Sequence, residues 1–261
     1  MPQLDPLTFP TGDGDRTSGT VRFSVTQWGA WAPGLESPDA WCRWARGEAT
    51  IGGEGEPQVA AMPPMLRRRA GRLGRMALEA AYACTTERGM IPSVFCSRHG
   101  NASSAAELLT TLARNEALSP AVFSLSVHNA IGGLFSIAAG STLPFTAIAG
   151  GVDSVASGVI EACGLLADGV PEVLLVVYDE SLPAIYRAYR DEMDCPYAWS
   201  WRMAPATGES FSLTWGVSEP APASSLPGEP LGLEVFRFFL SGARERTMRR
   251  SRLVWHWGRH A

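Results

Sequence analysis

The sequence predicts an α/β fold in which helices cover both faces of a mixed, mostly parallel sheet. The chain has 261 residues, of which 46% are hydrophobic and 18% charged, enough apolar material for a sizeable core. Two strand-like apolar runs, 144–149 and 172–180, flank a stretch whose apolar residues recur at helical spacing. A strand, a helix and a second strand in this order form a βαβ unit, and such a unit pairs its strands in parallel.

The chain before the βαβ unit predicts a strand, a connection and a helix. Residues 1–20 lack periodicity and are predicted to be a flexible lead-in. Residues 21–28 alternate apolar and polar side chains, which is typical of a half-buried strand. The next segment, 29–64, is rich in Gly, Pro and Trp and predicts a long irregular connection. Helical spacing then begins at Arg67 and ends at Gly89, a candidate C-cap.

A second strand and a second helix are predicted before the βαβ unit. Residues 91–97 have the composition of a strand. Ser104 and Glu107 are spaced as a capping box at the start of a helix, and Pro120 breaks the helical pattern. The nearly uncharged segment 122–140 is predicted to be buried.

The signals weaken after residue 180. Residues 211–217 predict one more strand, 219–230 a loop and 231–241 a helix. We expect residues 21–261 to form a single domain with an atypical C-terminal segment rich in arginine and tryptophan.

Composition excludes several classes of protein. No apolar run reaches the ~18 residues of a membrane span, and the acidic, proline-rich N-terminus is not a secretory signal. Five cysteines without a C-x-x-C pair predict reduced thiols in the cytoplasm, and no metal site or cofactor is predicted. The net charge of −4 argues against a nucleic-acid binder. All 22 basic residues are arginine, which excludes catalysis by a Schiff-base or P-loop lysine.

The turn of the βαβ unit is the place where acyl-transfer enzymes present a nucleophile. From Thr146 to Val155 this turn has the sequence T-A-I-A-G-G-V-D-S-V. It resembles the elbow of the thiolase-fold condensing enzymes, the β-ketoacyl synthases, whose elbow is roughly T-x-C-[ST]-[SG]-G. The family's nucleophilic cysteine falls on Ile148. The non-catalytic chain-length factors carry x-A-G-G-[LV]-D-[AS]-[LV], and this chain is more similar to that version.

Neighbouring segments extend the resemblance over about residues 65–180. Pro120, with Asn129 and Gly132-Gly133 downstream, matches the synthase pattern S-P-x(8)-N-x-x-[AG]-G. The arginine-rich helix that begins at Arg67 resembles the first helix of the family. The resemblance implies a thiolase-like N-terminal half.

The chain departs from the family in its second half. Synthases carry two histidines there, in H-G-T-G-T and G-H-x-x-G-A contexts, and a glycine-rich loop. Beyond residue 180 this chain has only His256 and His260, and neither lies in such a context. The resemblance therefore implies a truncated C-terminal half and an elbow without catalytic residues, formed by Ile148, Ala149, Gly150, Gly151 and Asp153.

Half-length synthase-like proteins that accompany the ketosynthases of aryl polyene biosynthesis share these departures. Their features include a segment like SLSVHNAIGGLFSIA, a VDS-type elbow, a strand ending in YDE and a C-terminus rich in Arg and Trp, all present here. The resemblance implies a non-catalytic, chain-length-factor-like subunit that needs no cofactor. It would form a heterodimer with a β-ketoacyl-ACP synthase, shape its acyl tunnel and meet acyl carrier protein (ACP).

Two groups of residues are candidates for these contacts. The resemblance places at the partner interface and acyl tunnel Ser124, Leu125, Ser126, Val127, His128 and Asn129. Core packing of the apolar members and a core histidine bonded to backbone are the alternatives. The candidates for docking acidic ACP are Arg67, Arg68, Arg69, Arg72 and Arg75. A second basic set comprises Arg244, Arg246, Arg249, Arg250 and Arg252; for both sets, a solvated face or packing on tryptophan is the alternative.

Other reactive residues suggest a different reading. Cys96 and His99 could form a nucleophile–base pair, and Asp179-Glu180 could be an acid/base pair or simply the end of a strand. Cys163 lies on the apolar helical face and is expected in the core. The alternative function is an autonomous acyl-thioester transferase or thioesterase that uses a different cysteine. A third is a stand-alone acyl-binding or scaffold protein.

Overall fold

The structure, a computed structural model, describes residues 18–85, 88–217, 228–249 and 252–261. Its strands are β1 Gly19–Trp31, β2 Ser93–Cys96, β3 Phe145–Ile148, β4 Val173–Asp179, β5 Tyr197–Ala204, β6 Ser210–Val217, β7 Glu245–Arg249 and β8 Leu253–His260. Its α-helices are α1 Pro38–Ala45, α2 Pro64–Arg67, α3 Arg72–Ala83, α4 Ala102–Ala113, α5 Pro120–Leu125, α6 Ala130–Ala139, α7 Ser154–Ala167 and α8 Leu231–Ser241. The strands form one eight-stranded sheet in the order β3-β2-β4-β5-β1-β6-β8-β7.

The predicted α/β class, with a mixed sheet between helices, is confirmed. Strand β2 lies between β3 and β4 and is parallel to both, so the predicted βαβ unit encloses a third strand. The described sheet has fewer parallel strand pairs than predicted. Antiparallel pairs join the strands in the order β4, β5, β1, β6, β8 and β7. The reason is that residues 181–261 supply β5 to β8, and these strands extend the same sheet instead of forming a second one.

Helices cover the two faces of the sheet through two separate apolar cores. Alternate residues of β4 serve each core: Val173, Leu175 and Val177 face α1, α7 and α8. Leu174, Val176 and Tyr178 face α3 and α6. All these β4 side chains are at most 1% exposed, as expected for a strand covered on both sides.

An aromatic cluster fixes α8 onto the first of these faces. Phe236 of α8 stacks on Trp199 of β5, with ring centroids 5.3 Å apart, and meets Trp41 of α1 edge-on at 5.2 Å. Such pairs add to the free energy gained from burial alone. The C-terminal segment is thus part of the core.

Several element boundaries differ from the sequence prediction. The predicted connection 29–64 contains the end of β1 and all of α1, which begins at an N-cap, Ser37. The helix predicted from Arg67 to Gly89 is shorter: α3 spans Arg72–Ala83 and its C-cap is Cys84, not Gly89. Arg67 is instead the last residue of α2, and Gly71, whose φ is +42°, lies between the two helices.

Three further differences lie at element ends. Asn101, not Ser104, caps α4, because its side chain accepts the backbone N–H of Ser104 at 3.2 Å. Strand β1 already includes residues 19 and 20 of the predicted lead-in, and residues 1–17 lie outside the described residues. Of the predicted loop 219–230, residues 219–227 also lie outside them.

A buried arginine ties β5 to the segment after α3. The Arg202 side chain is 3% exposed and lies 2.7 Å from a carboxylate oxygen of Glu172. Its guanidinium also donates to the carbonyls of Cys84, at 3.0 Å, and Gly89, at 3.2 Å.

We expect Arg202→Met to lower the free energy of unfolding by about 3 kcal/mol, because it removes a buried donor from the Glu172 carboxylate and from the carbonyls of Cys84 and Gly89. Urea denaturation measures the change. Arg46→Met is the matched control: Arg46 forms an exposed pair with Glu48, so its loss should leave the midpoint nearly unchanged. Equal stability of both variants would contradict a role for Arg202 in the fold.

Candidate functional site

The predicted elbow lies at the edge of the sheet where β2, β3 and β4 end. Ile148 is the last residue of β3 and pairs in register with Cys96 of β2. Its half-buried side chain packs on the first core. Ala149 and Gly150 are exposed, and Gly151 has a φ of +61°, which favours glycine at this position.

Hydrogen bonds fix the elbow to two other elements. The N–H of Gly150 donates to the hydroxyl of Ser154 at 3.0 Å, and this hydroxyl donates to the carbonyl of Gly151 at 2.7 Å. The indole N–H of Trp255, in β8, donates to the Asp153 carboxylate at 2.7 Å. The elbow is therefore held by the start of α7 and by the C-terminal segment. Trp255 was not predicted as part of the site, since no local pattern indicates a contact between residues 102 positions apart.

Asp179, at the end of β4, holds the loop that follows β2. Its carboxylate accepts the Ser97 hydroxyl at 2.8 Å and the backbone N–H groups of Arg98 and His99, each at 3.1 Å. Burial raises the pKa of Asp179 to about 6, although these three donors oppose the rise. Asp179 is therefore a half-buried residue that anchors the loop, whereas the sequence suggested a strand end beside solvent or an acid/base pair.

A charged cluster continues from this loop. Arg98, whose side chain is 12% exposed, pairs with Asp191 at 2.6 Å and Glu192 at 2.8 Å. Burial raises the pKa of Glu192 despite the neighbouring arginine. The cluster lines a cavity of about 30 Å³, which has room for about one water molecule but not for an acyl chain.

His128 packs against the same loop from the side of α5. Its Nε2 lies 2.9 Å from the carbonyl oxygen of Ser97, and its ring fills the space that a Cβ on Gly100 would need. This contact agrees with a histidine bonded to backbone, the alternative reading of the sequence.

The predicted interface segment 124–129 lies at the end of α5. Ser124 and Asn129 are exposed and Val127 is 47% exposed. Leu125 is half-buried and packs on the second core, and Ser126 and His128 are also half-buried. The segment is thus divided between core packing and solvent.

Helices α4 to α6 present an apolar surface to solvent. Phe123 of α5 is 60% exposed and Ile137 of α6 is 66% exposed. The prediction that 122–140 is buried is wrong for α5, since none of its residues is buried. The reason is that α5 packs beside α4 and not onto the sheet. We call this surface the α4–α6 face; its exposed apolar residues are Leu109, Leu112, Leu118, Val122, Phe123, Val127, Ile137 and Leu143.

Comparison with known proteins gives the family. Residues 41–258 match the model described as "Beta-ketoacyl synthase, N-terminal domain". The chain belongs to this family. No curated protein matches its sequence.

Solved structures of β-ketoacyl synthase relatives agree with this assignment. A chain of the complex of the ketosynthase ApeO with its chain length factor ApeC, from Xenorhabdus doucetiae, is 27% identical, with a TM-score of 0.78. The similarity covers 91% of this chain and 99% of that one. A chain of the ishigamide ketosynthase/chain length factor is 14% identical (TM-score 0.59), and the match covers 76% of this chain and 67% of that one.

A third match is to the AntDE:AntF complex, described as a type II PKS acyl-carrier protein with its ketosynthase bound to the hexaketide. Its chain is 9% identical, with a TM-score of 0.64, and the match covers 92% of this chain and 99% of that one. At this level of identity, the match, like the ishigamide one, shows the thiolase-like ketosynthase fold alone.

Four of the five thiols of this synthase-family chain are poorly placed for nucleophilic catalysis. Burial raises the pKa of Cys84 to about 11, that of Cys163 to about 12 and that of Cys195 to about 11. It raises the pKa of Cys96 even more, and the Cys96 thiol donates to the carbonyl of Ser154 at 2.9 Å. Burial also lowers the pKa of His99. A Cys96 thiolate paired with a His99 base is therefore strongly disfavoured. Cys163 lies in the core, as expected.

The predicted ACP-docking arginines differ in their surroundings. Arg72 and Arg75 pair with Glu56, at 3.7 and 2.6 Å. Arg67 donates to the carbonyl of Gln58 at 3.0 Å. The other two, at residues 68–69, are exposed and form no ion pair within the described part of the chain.

The second basic set does not form one face. On β7, Arg246 pairs with Glu234 of α8 at 3.8 Å, whereas Arg249 lies on the opposite side of the strand. Arg244 and Arg252 are exposed, and Arg250 lies outside the described residues.

The described residues offer neither a cluster of metal-ligating side chains nor a membrane-spanning helix. No group of three or more His, Cys, Asp or Glu side chains there is placed to hold a metal ion. Within the same residues, no helix is long and apolar enough to cross a membrane.

Asp179 predicts a pH dependence of stability. Its pKa in the folded chain, about 6, lies above the value of about 4 expected in the unfolded chain. The folded chain therefore binds more protons between these values, and this group's contribution to stability is lost as the pH rises from 4 to 6. Glu180 and Glu192, whose pKa values burial also raises, act in the same direction.

We expect Asp179→Asn to flatten the fall in the free energy of unfolding between pH 4 and 6. Urea denaturation across that range measures the slope. Glu116→Gln, at an exposed site, is the control and should keep the wild-type slope. An unchanged slope in Asp179→Asn would show that this carboxyl does not titrate there.

Proposed function

We propose that the chain is a non-catalytic, chain-length-factor-like subunit that forms a heterodimer with a β-ketoacyl-ACP synthase and shapes its acyl tunnel. The proposed setting is aryl polyene biosynthesis in the cytoplasm, where five free cysteines would remain reduced. The observation that carries the proposal is an elbow of the synthase type with Ile148 at its turn, because a hydrocarbon side chain cannot attack a thioester.

The α4–α6 face supports the heterodimer. Eight large apolar side chains are exposed between residues 109 and 143, and exposed clusters of this kind mark protein interaction sites. The face adjoins β3, an edge strand of the sheet. The similarity to a complex between a ketosynthase and its chain length factor supports a synthase as the partner.

The tunnel role is proposed for Val127 and the exposed residues beside it. Val127 is 47% exposed, so its side chain is free to contact a partner. Leu125 packs on the core of its own chain, so less of its side chain is accessible to a partner.

ACP docking is proposed for the arginines at the end of α2. The exposed Arg68 and Arg69 carry charge that no acid in the described residues neutralises. Met65, 77% exposed, lies three residues before Arg68. Such a basic surface would steer an acidic carrier protein.

The alternative, an autonomous acyl-thioester transferase or thioesterase, would need a reactive thiol. The raised pKa values of Cys84, Cys163 and Cys195 argue against it. Incubation with an acyl thioester followed by intact-mass measurement separates the two functions, since acylation of any cysteine would favour the alternative.

We expect Phe123→Ser to weaken binding to the ketosynthase at least about tenfold, because it removes an exposed aromatic side chain from the proposed interface. Co-expression and isothermal titration of the purified subunits measure the affinity. Ile185→Ser is the matched control: Ile185 is 68% exposed but lies outside the α4–α6 face. Equal affinity of both variants would contradict the proposed interface.

We expect Val127→Phe to shorten the acyl products of the complex and Val127→Ala to lengthen them. At a packed tunnel end, the volume of the wall side chains limits the length of the acyl chain, since extra methylenes would clash with them. Because Val127 is exposed in the free chain, added bulk does not overpack its own core. The masses of ACP-bound products are compared after assembly has been checked for each variant. If both intact variant complexes give acyl products of wild-type length, this segment does not line the tunnel.

A further inference from the structure

The last strand of the sheet, β7, has one side that pairs with nothing in the described chain. Its other side pairs with β8, where the N–H of Arg259 donates to the carbonyl of Arg244 at 2.8 Å. In an antiparallel ladder the hydrogen-bonded residues alternate. Residues 244, 246 and 248 therefore direct their backbone groups to β8, and Glu245, Thr247 and Arg249 direct theirs outward.

The outward residues of β7 are complementary to a second copy of themselves. An antiparallel pair centred on Thr247 places Thr247 opposite Thr247 and Glu245 opposite Arg249, and this second contact occurs twice. The outward N–H and C=O groups then form six backbone hydrogen bonds. Moving the register by two residues places Glu245 opposite Thr247 and loses both ion pairs. Only the centred register combines the charges with the full ladder.

The side chains needed for this pairing are available. Glu245, Thr247 and Arg249 are exposed. Neither Glu245 nor Arg249 forms an ion pair with another described residue. Met248, 3% exposed, anchors the strand to the core, so β7 is held extended before any partner arrives.

We propose that β7 pairs antiparallel with β7 of a second copy of this chain, across a two-fold axis through Thr247. Charged residues on an edge strand usually prevent pairing with other strands. Here the same charges oppose foreign strands and parallel stacking but attract the copy in this one register. A two-fold contact of this kind is closed and does not propagate into fibres.

The proposed pairing is independent of the proposed synthase interface. The α4–α6 face adjoins β3, and β3 and β7 are opposite edges of the sheet. A heterodimer would therefore keep β7 free, and two heterodimers could join through it. A ladder of one short strand is small for a permanent interface, so a dissociation constant in the micromolar range, about 1–100 µM, is expected.

Charge exchange tests the register. Arg249→Glu places two carboxylates opposite each other at both ends of the ladder and should raise the dimer dissociation constant at least about tenfold. Glu245→Arg should do the same with two guanidinium groups. The double variant Glu245→Arg/Arg249→Glu restores opposite charges and should restore dimerisation. Sedimentation velocity over the micromolar range, on the full chain, measures all three; equal dimerisation in every variant would overturn the proposal.

Disulfide trapping tests the axis directly. Opposite residues of a hydrogen-bonded pair have Cα atoms about 5.5 Å apart, within the range of a disulfide. Thr247→Cys should therefore give a covalent dimer on oxidation. Arg22→Cys is the control, since Arg22 is exposed on the same face of the sheet three strands away from β7. No more dimer from Thr247→Cys than from the control would contradict the axis.

A third variant separates this proposal from the synthase interface. Phe123→Ser alters the α4–α6 face and should leave trapping through Cys at residue 247 unchanged. Loss of trapping in the Thr247→Cys/Phe123→Ser chain would assign the dimer to the α4–α6 face and overturn pairing through β7.

Discussion

Burial of β4 on both faces is the constraint on which the rest of the structure depends. This strand pairs in parallel with β2 and antiparallel with β5, so it joins the half of the sheet that carries the elbow to the half supplied by residues 181–261. Its side chains also belong to both cores. The position of Asp179, and through it the loop after β2, follows directly from where β4 ends.

The elbow keeps its shape by means that need no catalytic residue. Ser154 bridges the turn to α7, and Trp255 holds Asp153 from the C-terminal segment. The half-buried carboxylate of Asp179 then fixes the neighbouring loop. These hydrogen bonds join the elbow to α7 and β8 at the end of three strands.

Local patterns predicted the elements that local physics determines. The periodicity of α7, the apolar run of β4 and the helix from Leu231 were confirmed, because each element is buried along its length and therefore has a regular apolar pattern. Strands β5, β7 and β8 were not predicted, since arginine and tryptophan interrupt their alternation and their burial comes from distant partners. The exposure of Phe123 was not predicted for a related reason: apolar composition alone does not show whether a segment packs on the core of its own chain or lies at the surface.

The order of strands has a consequence for synthesis on the ribosome. Strand β1 is the first strand along the chain, yet its two neighbours in the sheet are β5 and β6. Gly19, for example, pairs with Trp215. Both edges of β1 therefore remain unpaired until Ala198, the partner of Trp31, has been made, roughly 8–35 s after β1 at elongation rates of about 5–20 residues per second. During that interval its apolar side chains, Val21 and Phe23 among them, lack the neighbouring strands that bury them in the finished fold.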